Sequence, residues 1–264
     1  MILPELRLKV PLHKRMRRLL TNILPEKIKV KLRYIFLYWC KERKAEKNIF
    51  KIYSNFVSEG DLVFDIGANK GTMTKMFLKL GAKVVCVEPN PYCIKILKRK
   101  FGDNKDVIIV GKGLSNKRGK LRFFICSKAN EISTFSKEWK KGRYSYQEWD
   151  KEAIVPVTTL ERLIKQYGTP EFCKIDVEGY EPNVLRGLKS KISFISFEFH
   201  KEALRDAKTC LDLISYIGKA NFNFSTHEGS KLNSKVWLGS KELLRRLKSA
   251  PDDCLRGDIY AKME

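Results

Sequence analysis

Carboxylates recur at the ends of short apolar runs along this chain. Asp65 lies near the end of the run Leu62–Ile66, directly before a turn with glycines at 67 and 71. Glu88 closes the run Lys83–Val87, with Pro89 immediately behind it. Asp176 stands at the far end of the apolar stretch from Phe172 to Val177 and is followed by Glu178 and Gly179, while Glu198 and His200 end the run that begins at Ile192. An acid on a strand about 20 residues beyond a glycine turn is placed to accept both hydroxyls of a ribose, and the turn gathers backbone N–H groups at a helix start. Asn69 and Thr72 stand where the second and third glycines of a G-x-G-x-x-G pattern would be. A side chain at 69 argues against a pyrophosphate, because the second glycine is what lets backbone approach that group. A ribose-bearing ligand without a pyrophosphate fits better. S-adenosylmethionine matches at both ends, with a carboxylate for the loop N–H groups and an ammonium for Asp65, directly or through water. The candidate ligand-binding residues are therefore Asp65, Gly67, Ala68, Asn69, Gly71, Glu88 and Pro89. A buried strand and glycine turn with no ligand is the competing reading.

Asp176, Glu178 and His200 are the candidate catalytic residues. Acidic groups at strand ends can orient a cationic sulfonium ligand or take a proton from an acceptor hydroxyl, and a histidine beside the same crevice is a candidate base near neutral pH. Helix capping explains Glu178 or Glu181 equally well, and a single histidine after a strand is more often structural. Gly113 and Leu114, at the end of a third strand, are placed to meet an adenine; an ordinary hairpin connection competes. No metal is required, although Asp176, Glu178 and Glu198 could host one. The three histidines do not cluster, and the seven scattered cysteines never form C-x-x-C, which reads as free thiols in a reducing compartment.

The elements that must position these groups follow from periodicity. Leu62–Ile66, the helical spacing of Thr72, Met76, Phe77 and Leu80, and Lys83–Val87 make one βαβ unit, with Gly81 stopping the helix. Beyond it come a basic helix from 92 to 101, strands at 107–110 and 121–126, and a strand at 172–177 leading to a helix with Pro182 in its first turn. A strand at 192–199 and a helix at 201–217 follow. Two last strands, at 221–225 and 258–262, flank a basic helix near 241–248. Thr158 and Glu161 are expected to form a capping box for the helix running to Gln166. Residues 127–152, aromatic and without clear period, read as an acceptor-binding cap or as surface disorder.

The formal charge is +23, and residues 1–60 hold 15 Lys or Arg against 5 Asp or Glu, a net +10. That excess predicts attraction to something anionic: lipid headgroups, nucleic acid or an acidic glycan. Leu12, Met16, Leu19, Leu20 and Ile23 recur at helical spacing opposite Lys14, Arg15, Arg17 and Arg18. Residues 1–45 thus read either as a membrane-surface segment or as a helical extension packed on the domain of residues 46–264. A mean hydropathy of −0.34, with no run near the ~20 apolar residues of a span, excludes an integral membrane protein of helices. No clean apolar block opens the chain, so the expected location is the cytoplasm.

At DIGANKGTMT, VEPNP and KIDVEGYEPNVLRGL together, the chain resembles the FkbM family of S-adenosylmethionine-dependent methyltransferases. The resemblance covers roughly residues 58–200 and implies an α/β, Rossmann-like class I methyltransferase fold, with a seven-stranded, mostly parallel sheet and helices on both faces. It also implies methylation of a hydroxyl, often on a sugar or polyketide. Carried onto this chain, Asp65, Gly67, Asn69 and Gly71 would form the methionine side of the pocket. Glu88 would hold the ribose, and Asp176 with Glu178 would sit beside the transferring methyl. Glu161 follows the Thr-Leu pair where family members often carry Asp. The rival from another class is an RNA-binding protein or RNA methyltransferase, which the charge would suit; a non-catalytic relative is the third possibility.

Overall fold

The computed structural model describes residues 46–226, 231–252 and 255–264. The basic helix and apolar run expected within residues 1–45 lie outside them. Among the described residues, no helix is long and apolar enough to cross a membrane.

Strands β1 (Leu62–Ile66), β2 (Lys83–Val87), β3 (Val107–Val110), β7 (Phe172–Ile175), β8 (Phe194–His200), β9 (Ala220–Thr226) and β10 (Arg256–Met263) form one sheet in the order β3-β2-β1-β7-β8-β10-β9. All its pairings are parallel except the two made by β10. This is the seven-stranded, mostly parallel, Rossmann-like sheet that the sequence led us to expect. The order reverses between β1 and β7, and ligands of open α/β sheets gather where strand order reverses, beyond the carboxyl ends of the strands.

Side chains alternate across a strand, so each strand feeds two cores. On β1, Phe64 and Ile66 enter a core with Ile175, Phe197, Ile259 and helices including Leu204–Ile217 (α7) and Ser240–Ser249 (α8). Val63 points the other way, to Tyr53, Phe56, Phe77 and Phe172, a cluster of edge-on and stacked rings. Helices Thr72–Lys79 (α2) and Pro91–Phe101 (α3) cover that second face, together with helical residues 48–53 (α1). Asn90 caps α3 by accepting the Tyr92 N–H, and Pro91 begins the helix where no N–H is needed.

Two expectations change. A strand over Lys151–Thr158 (β6) was not apparent in the sequence. It pairs with Gly119–Ile125 (β5) and with Gly113–Leu114 (β4) in a separate three-stranded sheet, so the strand expected at 121–126 is not part of the main sheet. The apolar run Ala153, Ile154, Val155 and Val157, interrupted only by Pro156, is the signal that aromatic residues before it obscured. Thr159, rather than Thr158, caps the next helix, Leu160–Tyr167 (α5), accepting from the Arg162 N–H. Glu161 does not reach back to complete a box; its carboxylate accepts the N–H groups of Lys189 and Ser190.

The glycine turn after β1 is held by steric necessity. Gly67 has φ +83, and a Cβ there would lie 1.7 Å from the Asp176 carbonyl oxygen. Gly67→Ala is expected to cost at least about 2 kcal/mol of stability, since left-handed strain and a backbone clash add together. Urea denaturation measures it, and an unchanged midpoint would contradict so close an approach of the β1 and β7 ends.

Candidate active site

A solvent-open cleft lies beyond the carboxyl ends of β1, β2 and β7. Of the residues singled out from sequence, Gly67, Asn69, Glu88, Pro89, Gly113, Leu114, Asp176 and Glu178 line it. Asp65, Ala68, Gly71 and His200 do not. Phe123, Asn130 and Phe135, from β5 and the segment after it, complete the wall. That segment is folded: Phe124 pairs with Thr134, a helix over Lys137–Lys141 (α4) is capped by Ser136, and Trp139 is buried.

Glu88 is 5% exposed, and its two oxygens each accept one backbone N–H, from Asn90 at 2.7 Å and Asn69 at 2.8 Å. A carboxylate has about four lone-pair sites, so each oxygen can still accept a hydroxyl from the cleft. Burial pushes its pKa up to about 7, against the pull of the two N–H donors. The donor set and the cleft it faces therefore suit a ribose. Asn69 has φ +48, a conformation Asn tolerates better than most side chains, so the residue at the second glycine position keeps the left-handed turn.

The methionine end differs from expectation. Asp65 shares the Val63 side of β1 and is 1% exposed; its Oδ2 accepts from Thr74 Oγ1 at 2.6 Å, and burial raises its pKa. Asp65 does not line the cleft, and its carboxylate ties β1 to α2. The loop N–H groups expected to meet a ligand carboxylate are engaged as well. Those of Gly67 and Ala68 donate to the Val87 carbonyl, that of Asn69 to Glu88 and that of Gly71 to the Ala68 carbonyl. Gly71 instead admits the side chains of Phe101 and Leu97, which a Cβ would strike.

The β7 end holds the densest charge. Lys174 shares the strand face of Phe172 and Asp176, is 5% exposed, and places Nζ 2.6 Å from Asp176 Oδ2. Sheet register sets Lys174 beside Asp65 on one side and Ser196 on the other, and Glu198 beside Asp258. Burial alone would lower the lysine pKa, but Asp176, Asp258 and Asp65 together raise it, so the ammonium is retained. Asp258 is pushed from 3.8 up to about 6 by burial, with Lys174 opposing. Sequence reasoning missed Lys174; the signal was a lone charge inside FCKI, two residues before Asp176.

Glu178 has φ +55, one of two non-glycine positive values among the described residues, the other being Asn69. Its carbonyl accepts from Thr134 Oγ1 at 2.7 Å, and its Oε2 accepts from Trp139 Nε1 at 3.0 Å. Trp139 also lies where a Cβ on Gly179 would be, so that glycine makes room for the indole. Burial, then Glu198 and Asp176, hold the Glu178 pKa well above the usual carboxylate range. Neither acid caps the next helix through its side chain: Glu181 Oε1 accepts the Val177 N–H and braces the turn. His200 lines a neighbouring cleft with Trp139 and Glu198, edge-on to the indole at 4.9 Å.

A model of the methyltransferase FkbM domain matches residues 65–224. Hexuronic acid methyltransferase AglP of Haloferax volcanii is 24% identical over 170 residues, 60% of this chain and 62% of that protein. An rRNA adenine N-6-methyltransferase of Bacteroides fragilis is 37% identical over 60 residues, 23% of each chain. The chain thus spans less than two thirds of the length of these curated relatives. Among solved structures, fibrillarin of Aeropyrum pernix with S-adenosylmethionine bound is similar at a TM-score of 0.41 and 11% identity, covering 78% of this chain and 68% of that one.

Removing the buried cation tests the electrostatics. Lys174→Met is expected to cost ~3 kcal/mol near neutral pH, because buried carboxylates lose their partner. Asp258 already has a folded pKa above its unfolded value, so the stability it lends at low pH is lost as pH rises through about 6. Without Lys174 that pKa rises further, and the variant should fall further behind the wild type between pH 5 and 8. Denaturant titrations at both pH values check this; an equal deficit would contradict it.

Proposed function

Because the chain belongs to the FkbM methyltransferase family, we propose that it is an S-adenosylmethionine-dependent O-methyltransferase acting on a hydroxyl of a carbohydrate. The observation that carries the reading is Glu88, a buried carboxylate with spare lone pairs, in one cleft with Gly67 and Asp176 at the point where strand order reverses. When bound in this cleft, S-adenosylmethionine would supply an electrophilic methyl for the acceptor oxygen, with the carbon–sulfur bonding electrons leaving on S-adenosylhomocysteine.

The chain's own residues then have assignable tasks. Glu88 accepts the ribose hydroxyls, and Gly113 with Leu114 borders the base. Asp176, held by Lys174, takes the acceptor's hydroxyl proton. Positioning is the main catalytic effect, since fixing two reactants in line removes much of the barrier. His200 does not line this cleft, so Asp176 and Glu178 are better placed than His200 to meet the acceptor.

A uronic acid is the acceptor class that joins several observations. AglP, the relative matched over the greater length, is named for a hexuronic acid, and a chain of charge +23 draws anionic substrates toward it. The same charge and the short rRNA methyltransferase match favour RNA as the second reading. Peripheral membrane contact through residues 1–45, at the cytoplasmic face, suits a lipid-linked glycan.

Calorimetry with S-adenosylhomocysteine should give one site per chain, weakened about ten-fold or more in Glu88→Ala, which loses charge-assisted hydrogen bonds to ribose. Absence of heat from folded wild-type protein would sink the reading. Methyl transfer to uronic-acid oligosaccharides favours the carbohydrate, and RNA binding that falls steeply with salt favours the alternative.

A further inference from the structure

Asp176 and Glu178 line the main cleft, and Glu198, on the next strand, lines the neighbouring one. The three nonetheless converge: one carboxylate oxygen from each lies within 4.8 Å of the others. Ligand oxygens around a bound calcium or similar divalent ion are roughly 3–5 Å apart, so this spacing admits one ion with little rearrangement. Lys174 is the ammonium paired in the group, and it meets Asp176 through Oδ2. Three carboxylates against one ammonium leave two formal negative charges.

Acidic convergence alone would mean little, but His200 supplies an independent observation. Its ring is 3% exposed, and neither nitrogen has a hydrogen-bond partner. Nε2 lies at the edge of the cluster, 3.2 Å from Glu198 Oε2, within ion-pair distance yet out of line for a hydrogen bond. Trp139 packs edge-on against the ring, fixing it there. Leaving a buried imidazole unbonded costs on the order of 1–3 kcal/mol unless something outside the chain satisfies the site. A cation held by Glu198, with water in its remaining positions, would do so.

We propose that Asp176, Glu178 and Glu198, with His200 at their margin, form a binding site for an oxygen-preferring divalent cation at the seam between the two clefts. Carboxylate and water ligands select magnesium, calcium or manganese. The consequence for catalysis rests on the methyltransferase reading above. An ion at this seam can bind an acceptor's hydroxyl oxygen, make its proton easier to remove, and orient a vicinal diol or hydroxy acid. Cation binding itself does not depend on that reading.

The test uses the full-length chain, stripped with chelator and dialysed, with no S-adenosylmethionine present. Titration with Mn²⁺, followed by loss of the free-ion paramagnetic resonance signal, should show one bound ion per chain that Mg²⁺ displaces. Glu198→Gln should weaken uptake by about ten-fold or more, and Asp176→Asn with Glu198→Gln should abolish it. Near-UV circular dichroism confirms that Glu198→Gln, the isosteric variant, is folded. A free-ion signal unchanged by folded wild-type protein up to millimolar Mn²⁺ would overturn the proposal, as would undiminished uptake by folded Glu198→Gln. S-adenosylhomocysteine calorimetry on the same stripped sample separates the two ideas. Nucleoside binding without Mn²⁺ uptake removes the ion and keeps the methyltransferase, and the converse keeps the ion alone.

Discussion

The ammonium of Lys174, enclosed in the sheet, is the interaction on which the site depends. Burying a lysine is expensive, and it is tolerated here because Asp176 meets it at 2.6 Å while Asp65 lies beside it on β1 and Asp258, two strands away on β10, adds to the attraction. The attraction works in both directions. Without the cation, Asp258 and the strand-end acids would face one another across a low-dielectric floor, where like charges force protonation. With it, Asp176 is fixed at the β7 end beside the glycine turn of β1. That approach is so close that residue 67 must be glycine.

Alternation along each strand converts this local pairing into a surface. Asp65, Lys174, Ser196, Tyr260 and Asn223 are successive register partners across five strands, all on the face opposite Phe64 and Ile66. One row nearer the carboxyl ends, Glu198, Asp258 and Ser225 continue the pattern. A polar stripe thus crosses a sheet whose other face is almost wholly apolar. The stripe confines charge to where the strand ends open into the clefts, and the ring cluster around Tyr53 and Phe172 seals the remainder of that face. It also explains why Asp65 does not reach the cleft: one row below Gly67 and Asp176, it secures α2 through Thr74.

The segment after β5 turns an open sheet end into an enclosed site. Its small sheet carries Phe123 and Phe135 to one wall of the cleft, and its short helix lays Trp139 over Gly179, Glu178 and His200. A single indole therefore donates to one carboxylate, occupies the space left by a glycine and holds an imidazole. Thr134 reinforces the same contact by donating to the Glu178 carbonyl, and Glu178 sustains a left-handed backbone under these restraints. Strained residues persist where the surroundings overdetermine them, as Thr134 and Trp139 do at 178.

The sequence by itself determined the βαβ unit, the strand-end positions of Glu88 and Asp176, and the family motifs. Each of these is written in local terms: apolar runs of strand length, glycines where φ must be positive, acids at fixed short separations. Asn69 was legible as a departure from the dinucleotide pattern for the same reason. Only the tertiary structure decided which of the acids face the cleft. Asp65 and Glu88 look alike in sequence, each in an apolar run, yet one turns to Thr74 and the other to the opening, because strand parity and depth along the sheet are properties of pairing. His200 was placed beside the crevice by its strand and assigned to a neighbouring cleft by Trp139, 61 positions earlier in the chain. Lys174 and β6 were missed because a single charge in an apolar run, or a strand behind an aromatic loop, acquires meaning only from partners that sequence separation hides.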